Sequence, residues 1–176
     1  MSQKQITIRN AKASEFESIS ALLIEVYAAL EGFPKRDVHP TYYDYLQNIS
    51  LQTENEAIEL LVAVSETNQI LGCVVYYHDV KYYNSGGTVT QQKNCCGFRL
   101  LAVTPEARGL GIGKKLTKFC ISKAKTSTAD YLIIHTTNAM KIAWKMYDHM
   151  GFQRAKDLDF TVGALEVFGF RFPLNT

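Results

Sequence analysis

Long hydrophobic runs are missing from this sequence. The best apolar stretch, Ala21 to Leu30, is interrupted by Glu25 and falls well short of the roughly 20 residues that cross a bilayer. The N-terminus, MSQKQITIRN, is polar and lacks the apolar core of a signal peptide. Cysteine is sparse: Cys73, Cys95, Cys96 and Cys120 form no C-x-x-C pair, and no histidine stands at zinc-finger spacing from them. That excludes a disulfide scaffold and argues against a metal site; small buried thiols in a reducing, cytoplasmic setting are expected instead. An excess of one charge is lacking too, with 19 Lys+Arg against 17 Asp+Glu and a net +2. Nucleic-acid binders gather a larger basic surplus on one face, so neither nucleic acid nor membrane is expected as a partner. A G-x-S-x-G nucleophile elbow is also absent, so a covalent acyl intermediate is not indicated.

What remains is an ordinary globular chain. Its 176 residues, 47% hydrophobic and 20% charged, suit one domain spanning 1–176 with a single sizeable core. Gln5 to Arg9 alternates like a strand. Ser14 with Glu17 reads as a capping box, opening a helix that carries Ile19, Leu22, Leu23, Val26 and Leu30 and stops near Gly32 and Pro34. Pro40 opens a second helical stretch through Leu46 and Ile49. Glu59 to Val64 and Ile70 to Val80 read as strands turned at Asn68-Gln69, and the polar segment Lys81 to Asn94 as a mobile hairpin tip or loop. Cys96 to Thr104 shows no strict alternation and so reads as a strand covered on both faces. A helix from about Ile112 to Lys125 follows, then a buried strand over Asp130 to His135. Ala139, Ala143, Met146, Tyr147 and Met150 mark one face of a helix ended by Gly151, and strands over Phe152 to Arg154 and Val167 to Phe172 finish the chain. The order βααβββαβαββ makes the fold class mixed α/β.

The chemistry concentrates between Leu100 and Lys114. A buried strand runs into a turn with three alternating glycines, Gly109, Gly111 and Gly113, and a helix starts there. Glycines let backbone N–H groups approach a ligand, and the helix N-terminus adds about half a positive charge, a combination suited to phosphate or pyrophosphate. Lys114, Lys115 and Lys118 add diffuse positive charge. A Walker A loop is excluded because Arg108 stands where its first glycine belongs and Lys115 where Ser or Thr belongs; a dinucleotide fingerprint is excluded because its third glycine would be Lys114. A purely structural tight turn is the remaining alternative.

Arg108-Gly-Leu-Gly-Ile-Gly113 matches the [RQ]-x-x-G-x-[GA] signature of the GNAT superfamily of acyl-CoA-dependent N-acyltransferases. Ala102-Val103-x-Pro105 and Ala143-x-x-x-Tyr147-x-x-x-Gly151-Phe152 also resemble that family, as does the order of elements over almost the whole chain. The resemblance implies a central mixed, mostly antiparallel sheet, splayed at the cofactor site and flanked by helices, with acetyl-CoA as cosubstrate and no metal. It implies that backbone groups of Leu101, Ala102 and Val103 pair with the pantetheine arm, and that amides from Arg108 through Gly109, Leu110, Gly111, Ile112 and Gly113 to Lys114 hold the pyrophosphate. Asn138 either reaches the arm or caps the last long helix. Tyr147 takes the place of the general acid that returns a proton to the leaving sulfur, or else packs one helix face. Many members carry Asn seven residues before that Tyr, where this chain has Met140. The glutamate that several members use as general base is missing too: Gly97 stands there, followed by Phe98 and Arg99. Glu31, His78 and His135 are candidates by chemistry alone, beside a route through ordered water.

Acceptor recognition falls to the first helices and the Lys81–Asn94 loop, where Tyr42, Tyr43, Tyr45, Tyr76, Tyr77, Tyr82 and Tyr83 are concentrated. For a cationic acceptor, Glu31 and Asp37 are the nearest acids in sequence. The expected activity is acetyl transfer to a primary amine of a small molecule or peptide by direct attack, in a monomer or homodimer. The alternative is a non-catalytic acyl-CoA-binding sensor or interaction module on the same fold.

Overall fold

The computed structural model describes residues 5–175. β1 (Thr7–Asn10) is followed by α1 (Phe16–Ala29), but not through the expected Ser14–Glu17 capping box. Glu15 accepts the Lys12 amide at 2.7 Å instead, in a 3-10 turn over Ala13–Glu15. The same carboxylate takes both Arg9 guanidinium nitrogens at 2.9 and 2.7 Å. A two-pronged ion pair is among the stronger polar contacts, and it fixes the entry of the chain at Lys12, two residues before Ser14, with α1 itself starting at Phe16.

α1 buries Ile19, Leu22, Leu23 and Tyr27 against α2 (Pro40–Gln47) and the sheet. Pro40 lies in the first turn of α2, where its fixed φ suits a helix and its missing N–H leaves nothing unpaired. Leu23 is fully buried, so truncating it to Ala costs about 2–5 kcal/mol. β2 (Ile58–Val64) and β3 (Ile70–Tyr77) form the expected hairpin, with Asn68 at a left-handed φ of 61° in its turn. β4 (Cys95–Val103), α3 (Ile112–Lys125), β5 (Tyr131–Thr137) and α4 (Lys141–Met150) follow, and Gly151 ends α4 at φ 94°. The chain closes with β6 (Gln153–Arg154), β7 (Phe160–Val162) and β8 (Leu165–Pro173). β7 is the one strand the sequence pattern does not suggest; it is three residues long and partly exposed, too short for alternation to register.

The eight strands form one sheet in the order β1-β2-β3-β4-β5-β8-β6, with β7 also on β8. Among the described residues only β4 and β5 run parallel, so the sheet is mixed and mostly antiparallel, as expected. α1 and α2 pack on one face with Leu60, Val62 and Val75; α3 and α4 pack on the other with Leu61, Val74 and Tyr76. The neighbouring thiols Cys95 and Cys96 go to opposite faces, as adjacent strand residues must.

The Lys81–Asn94 segment is not a free hairpin tip. It carries two 3-10 turns, buries Tyr83 and Val89, and is tied to the C-terminal region by Thr88 Oγ1 donating to the Asp157 carbonyl at 2.8 Å. Its polar composition reflects an exposed outer surface, while its few apolar residues dock inward.

Candidate active site

β4 and β5 pair at Cys95–Tyr131, Cys96–Leu132 and Gly97–Ile133, and there the pairing stops although both strands continue. A gap opens beyond Gly97. A bulge in β4 helps to shape it: Cys73 faces Ala102 but Val75 faces Arg99, and Leu100 takes a left-handed φ of 57°. That conformation costs a non-glycine residue about 1–2 kcal/mol, and it shifts the strand's phase by one residue. Before the bulge Cys96 and Phe98 face the α3/α4 layer; after it Leu101 and Val103 do. Arg99 and Leu100 therefore both line the cleft on the α1/α2 side of the gap.

The glycine turn lies at the far end of β4. Gly109 and Gly111 have φ of 78° and 75°, a region that L-residues with side chains avoid. Among the described residues, the amides of Gly109, Gly111, Ile112, Gly113 and Lys114 meet no backbone acceptor. Those of Arg108 and Leu110 are taken by the carbonyls of Pro105 and Ala107, both at 3.3 Å. Five free amides at a helix start can hold an anion. Arg108, Lys114, Lys115 and Lys118 are exposed and form no ion pair among the described residues. Ile112 is buried and anchors α3 to the sheet, while the position of a Cβ on Gly113 faces Leu101, Val103 and Met146 across the gap.

Tyr147 projects from α4 into the α3/α4 layer, its ring 6.0 Å from Phe98 and 5.4 Å from Phe152. It is 4% exposed. Burial holds its phenol protonated well above the ordinary range, and the Tyr83 phenol from the opposite layer adds to this. The Tyr147 hydroxyl has no hydrogen-bond partner among the described residues, yet it is not sealed off in the way the unpartnered Tyr76 hydroxyl is. Two further hydroxyls are sealed and unpartnered, Thr136 and Thr137, at the free end of β5 beside the gap. Asn138 is exposed and does not cap α4, whose N-cap position is Met140.

The cleft on the α1/α2 side has a volume of about 300 Å³ and is walled by Tyr27, Phe33, Tyr42, Met140 and Phe160. Of the tyrosines singled out in the sequence, Tyr42 lines it. Tyr43 turns into the core and donates to the Pro34 carbonyl at 2.9 Å, Tyr45 and Tyr77 join hydroxyls at 3.0 Å, and Tyr76 lies in the α3/α4 layer. Tyr82 is on the surface. Tyr27, which lines the cleft from α1, is missed by any reading that looks for clustered tyrosines.

Among the described residues no carboxylate lines the cleft; Glu31 and Asp37 are on the outer surface. At the position where the family resemblance implies a glutamate, a Cβ on Gly97 would sit 2.8 Å from both the Ile133 carbonyl oxygen and the Tyr83 ring, so Tyr83 occupies that space. His78 is remote, bound to Glu59 at 2.6 Å on the outside of the sheet. His135 does line the cleft, but burial pushes its pKa down to about 4, against its hydrogen bond to the Leu158 carbonyl at 2.9 Å, and it is a weak base. Among the described residues no group of three or more His, Cys, Asp or Glu is placed to hold a metal ion.

A parallel strand pair thus parts beside a glycine turn of free amides. The sequence matches the acetyltransferase (GNAT) family over residues 23–152, and the chain belongs to that family. No curated protein matches it closely enough to count as a relative. Among solved structures, a GNAT-family acetyltransferase from Staphylococcus aureus Mu50 is similar at 20% identity and a TM-score of 0.73, covering 97% of this chain and 100% of its own. A ribosomal-protein-alanine N-acetyltransferase from Brucella melitensis is similar at 18% identity and 0.67, covering 96% and 99%. A spermidine N-acetyltransferase from Vibrio cholerae, solved with CoA and spermine, is similar at 15% identity and 0.65, covering 97% and 96%. At these identities the likeness establishes a shared fold.

Proposed function

We propose that the protein transfers an acetyl group from acetyl-CoA to a primary amine of a small molecule or peptide by direct attack. The observation that carries this reading is the gap beyond Gly97 and Ile133, with five unpaired amides at its glycine turn and the Tyr147 phenol beside it. Bound acetyl-CoA would supply a thioester, an activated acyl group. Backbone groups of Leu101, Ala102 and Val103 would hold an amide-bearing arm along the gap; the five free amides within 109–114 would hold its phosphates. Asn138, free of any capping bond, is available to the arm. Tyr147 keeps its proton at neutral pH and would deliver it to the departing sulfur.

The acceptor must present a neutral amine, although a free alkyl ammonium has a pKa of about 10. The cleft favours the neutral form without a carboxylate base. The largely apolar walls desolvate an ammonium, which lowers its pKa. Ordered water then suffices to take the proton.

The occupation of the glutamate position by Tyr83 favours one alternative, an acyl-CoA sensor that binds without turnover. Thiol release from acetyl-CoA, measured across a panel of amines, separates the two. Amine-stimulated release supports the transferase; tight binding with no stimulation by any amine supports the sensor. Four buried free thiols suit a reducing compartment, so we place the protein in the cytoplasm, acting as a single domain in a monomer or homodimer.

A further inference from the structure

Arg99 is the one charged side chain among the residues that line the acceptor cleft, apart from the titratable His39 and His135. One of its terminal nitrogens, Nη1, donates to the Tyr83 and Asn84 carbonyls at 2.7 and 2.6 Å. These bonds fix the guanidinium plane from behind. Its Nη2 and Nε find no acceptor among the described residues, no carboxylate lies within ion-pair distance, and neither nitrogen is sealed. The Tyr45 and Tyr83 rings, 5.8 and 5.3 Å away, contribute π-faces, and burial keeps the Tyr83 phenol protonated.

A guanidinium held in an apolar cleft without a counter-charge is an expensive arrangement unless a ligand supplies the anion. Its planar fork with two free donors matches a carboxylate. Arg99 faces the α1/α2 side with Cys95 by ordinary strand alternation, and the bulge adds Leu100 to that side, so the charge stands in the cleft wall beside an apolar neighbour from its own strand. Most of the remaining wall is aromatic and aliphatic, with His39, Asn84, Ser85, His135, Thr136 and Thr137 adding polar groups but no carboxylate, and about 300 Å³ holds one small molecule. A polyamine would meet a positive charge there and no acid.

From this geometry we infer that the acceptor is a free amino acid with an apolar or aromatic side chain, its carboxylate gripped by Arg99 and its amine turned to the gap. The amine's role rests on the acetyl-transfer reading; the carboxylate's does not. The acid-free wall replaces the expectation that Glu31 or Asp37 would serve a cationic acceptor.

The test is acetylation of the twenty free amino acids, each beside its amide, with spermidine included, on wild type and Arg99→Gln. A charge-assisted pair is expected to favour at least one free acid over its amide by about ten- to a hundredfold in kcat/KM. In Arg99→Gln that ratio should fall to within a factor of about three of unity, while acetyl-CoA affinity and melting temperature report an intact fold. Arg99→Lys, which keeps the charge but not the fork, should recover only part of the ratio. Equal use of acid and amide throughout, or a preference for spermidine, would overturn the inference and leave acetyl transfer standing. If no amine turns over, calorimetry of N-acetylated amino acids and their amides with the CoA-loaded protein decides it. A preference for the acid that needs Arg99 upholds the carboxylate site while acetyl transfer fails, and no such preference overturns the site.

Discussion

The two sides of the β4–β5 gap are built on different principles. At the glycine turn the groups open to a ligand are backbone amides, five of them within the segment from Gly109 to Lys114. In the cleft on the α1/α2 side, proposed for the acceptor, they are side chains, gathered from α1, α2, the Lys81–Asn94 loop, β4, β5, β7 and β8. Backbone recognition constrains residue type strongly, because only glycine takes φ near 75° without strain. Side-chain recognition constrains a three-dimensional meeting of distant residues and leaves each of them free to vary. On the proposed reading the first kind of site would serve the shared cofactor and the second the acceptor.

The largest effect should come from breaking the backbone side. Gly111 has open space around it, so a side chain there meets no neighbour; the whole penalty lies in its φ of 75°. Gly111→Val should rotate the turn out of its anion-holding shape and nearly abolish CoA binding by calorimetry, with the fold intact by circular dichroism. Unchanged affinity would show that the turn is structural.

Next in size is Tyr147→Phe, which removes one hydroxyl and leaves the ring against Phe98 and Phe152. A general acid contributes about 10²–10⁴-fold, and a thiolate is already a fair leaving group, so kcat should fall on the order of 10²-fold. Acetyl-CoA affinity should change little. Turnover within a factor of about two of wild type would make Tyr147 a packing residue.

The smallest effect concerns the side-chain side. Burial first, with the Arg99 charge helping and the Leu158 carbonyl opposing, brings His135 down to about 4 from its ordinary 6.5. The unfolded chain then takes up the proton first. The stability this histidine contributes is whole above pH 6.5 and is lost as pH falls toward 4, a total of about 3 kcal/mol at most. Urea unfolding at pH 7 and pH 5 should show wild type losing stability; His135→Gln, which can keep a donor to Leu158, should lose clearly less. The comparison stays above pH 5 because Glu15, Asp157 and Asp159 are held low by Arg9, Arg171 and Arg154 and respond only in stronger acid. Equal pH dependence in the two proteins would contradict a buried neutral imidazole.

The sequence discloses these regions unequally, for the same physical reason. Helix and strand periods, the Asn68 turn, the Gly151 helix end and the alternating glycines are local signals, and the structure has each where the pattern puts it. The bulge at Leu100 is invisible in the sequence because leucine carries no mark of a left-handed φ. Without the bulge, Arg99 and Leu100 would face opposite sides and the cleft would not be anticipated. One signal was available: Arg99 is the single charge in the otherwise apolar strand CCGFRLLAV. The N-terminal cap went to Glu15 because its partner Arg9 lies on another element, a contact no local box records. Tyr83 filling the space beside Gly97 is likewise a meeting of residues 14 apart, set by a loop whose docking its polar composition conceals.

Hydrogen exchange with and without acetyl-CoA tests the central claim most directly, because it reads the backbone groups themselves. Added acetyl-CoA should slow exchange at the amides of 109–114 and along 101–103, while α2, over 40–47 on the acceptor side, changes little. No protection at the glycine turn, or protection confined to α2 and the loop over 84–86, would show that the gap between β4 and β5 is not the acyl-CoA site.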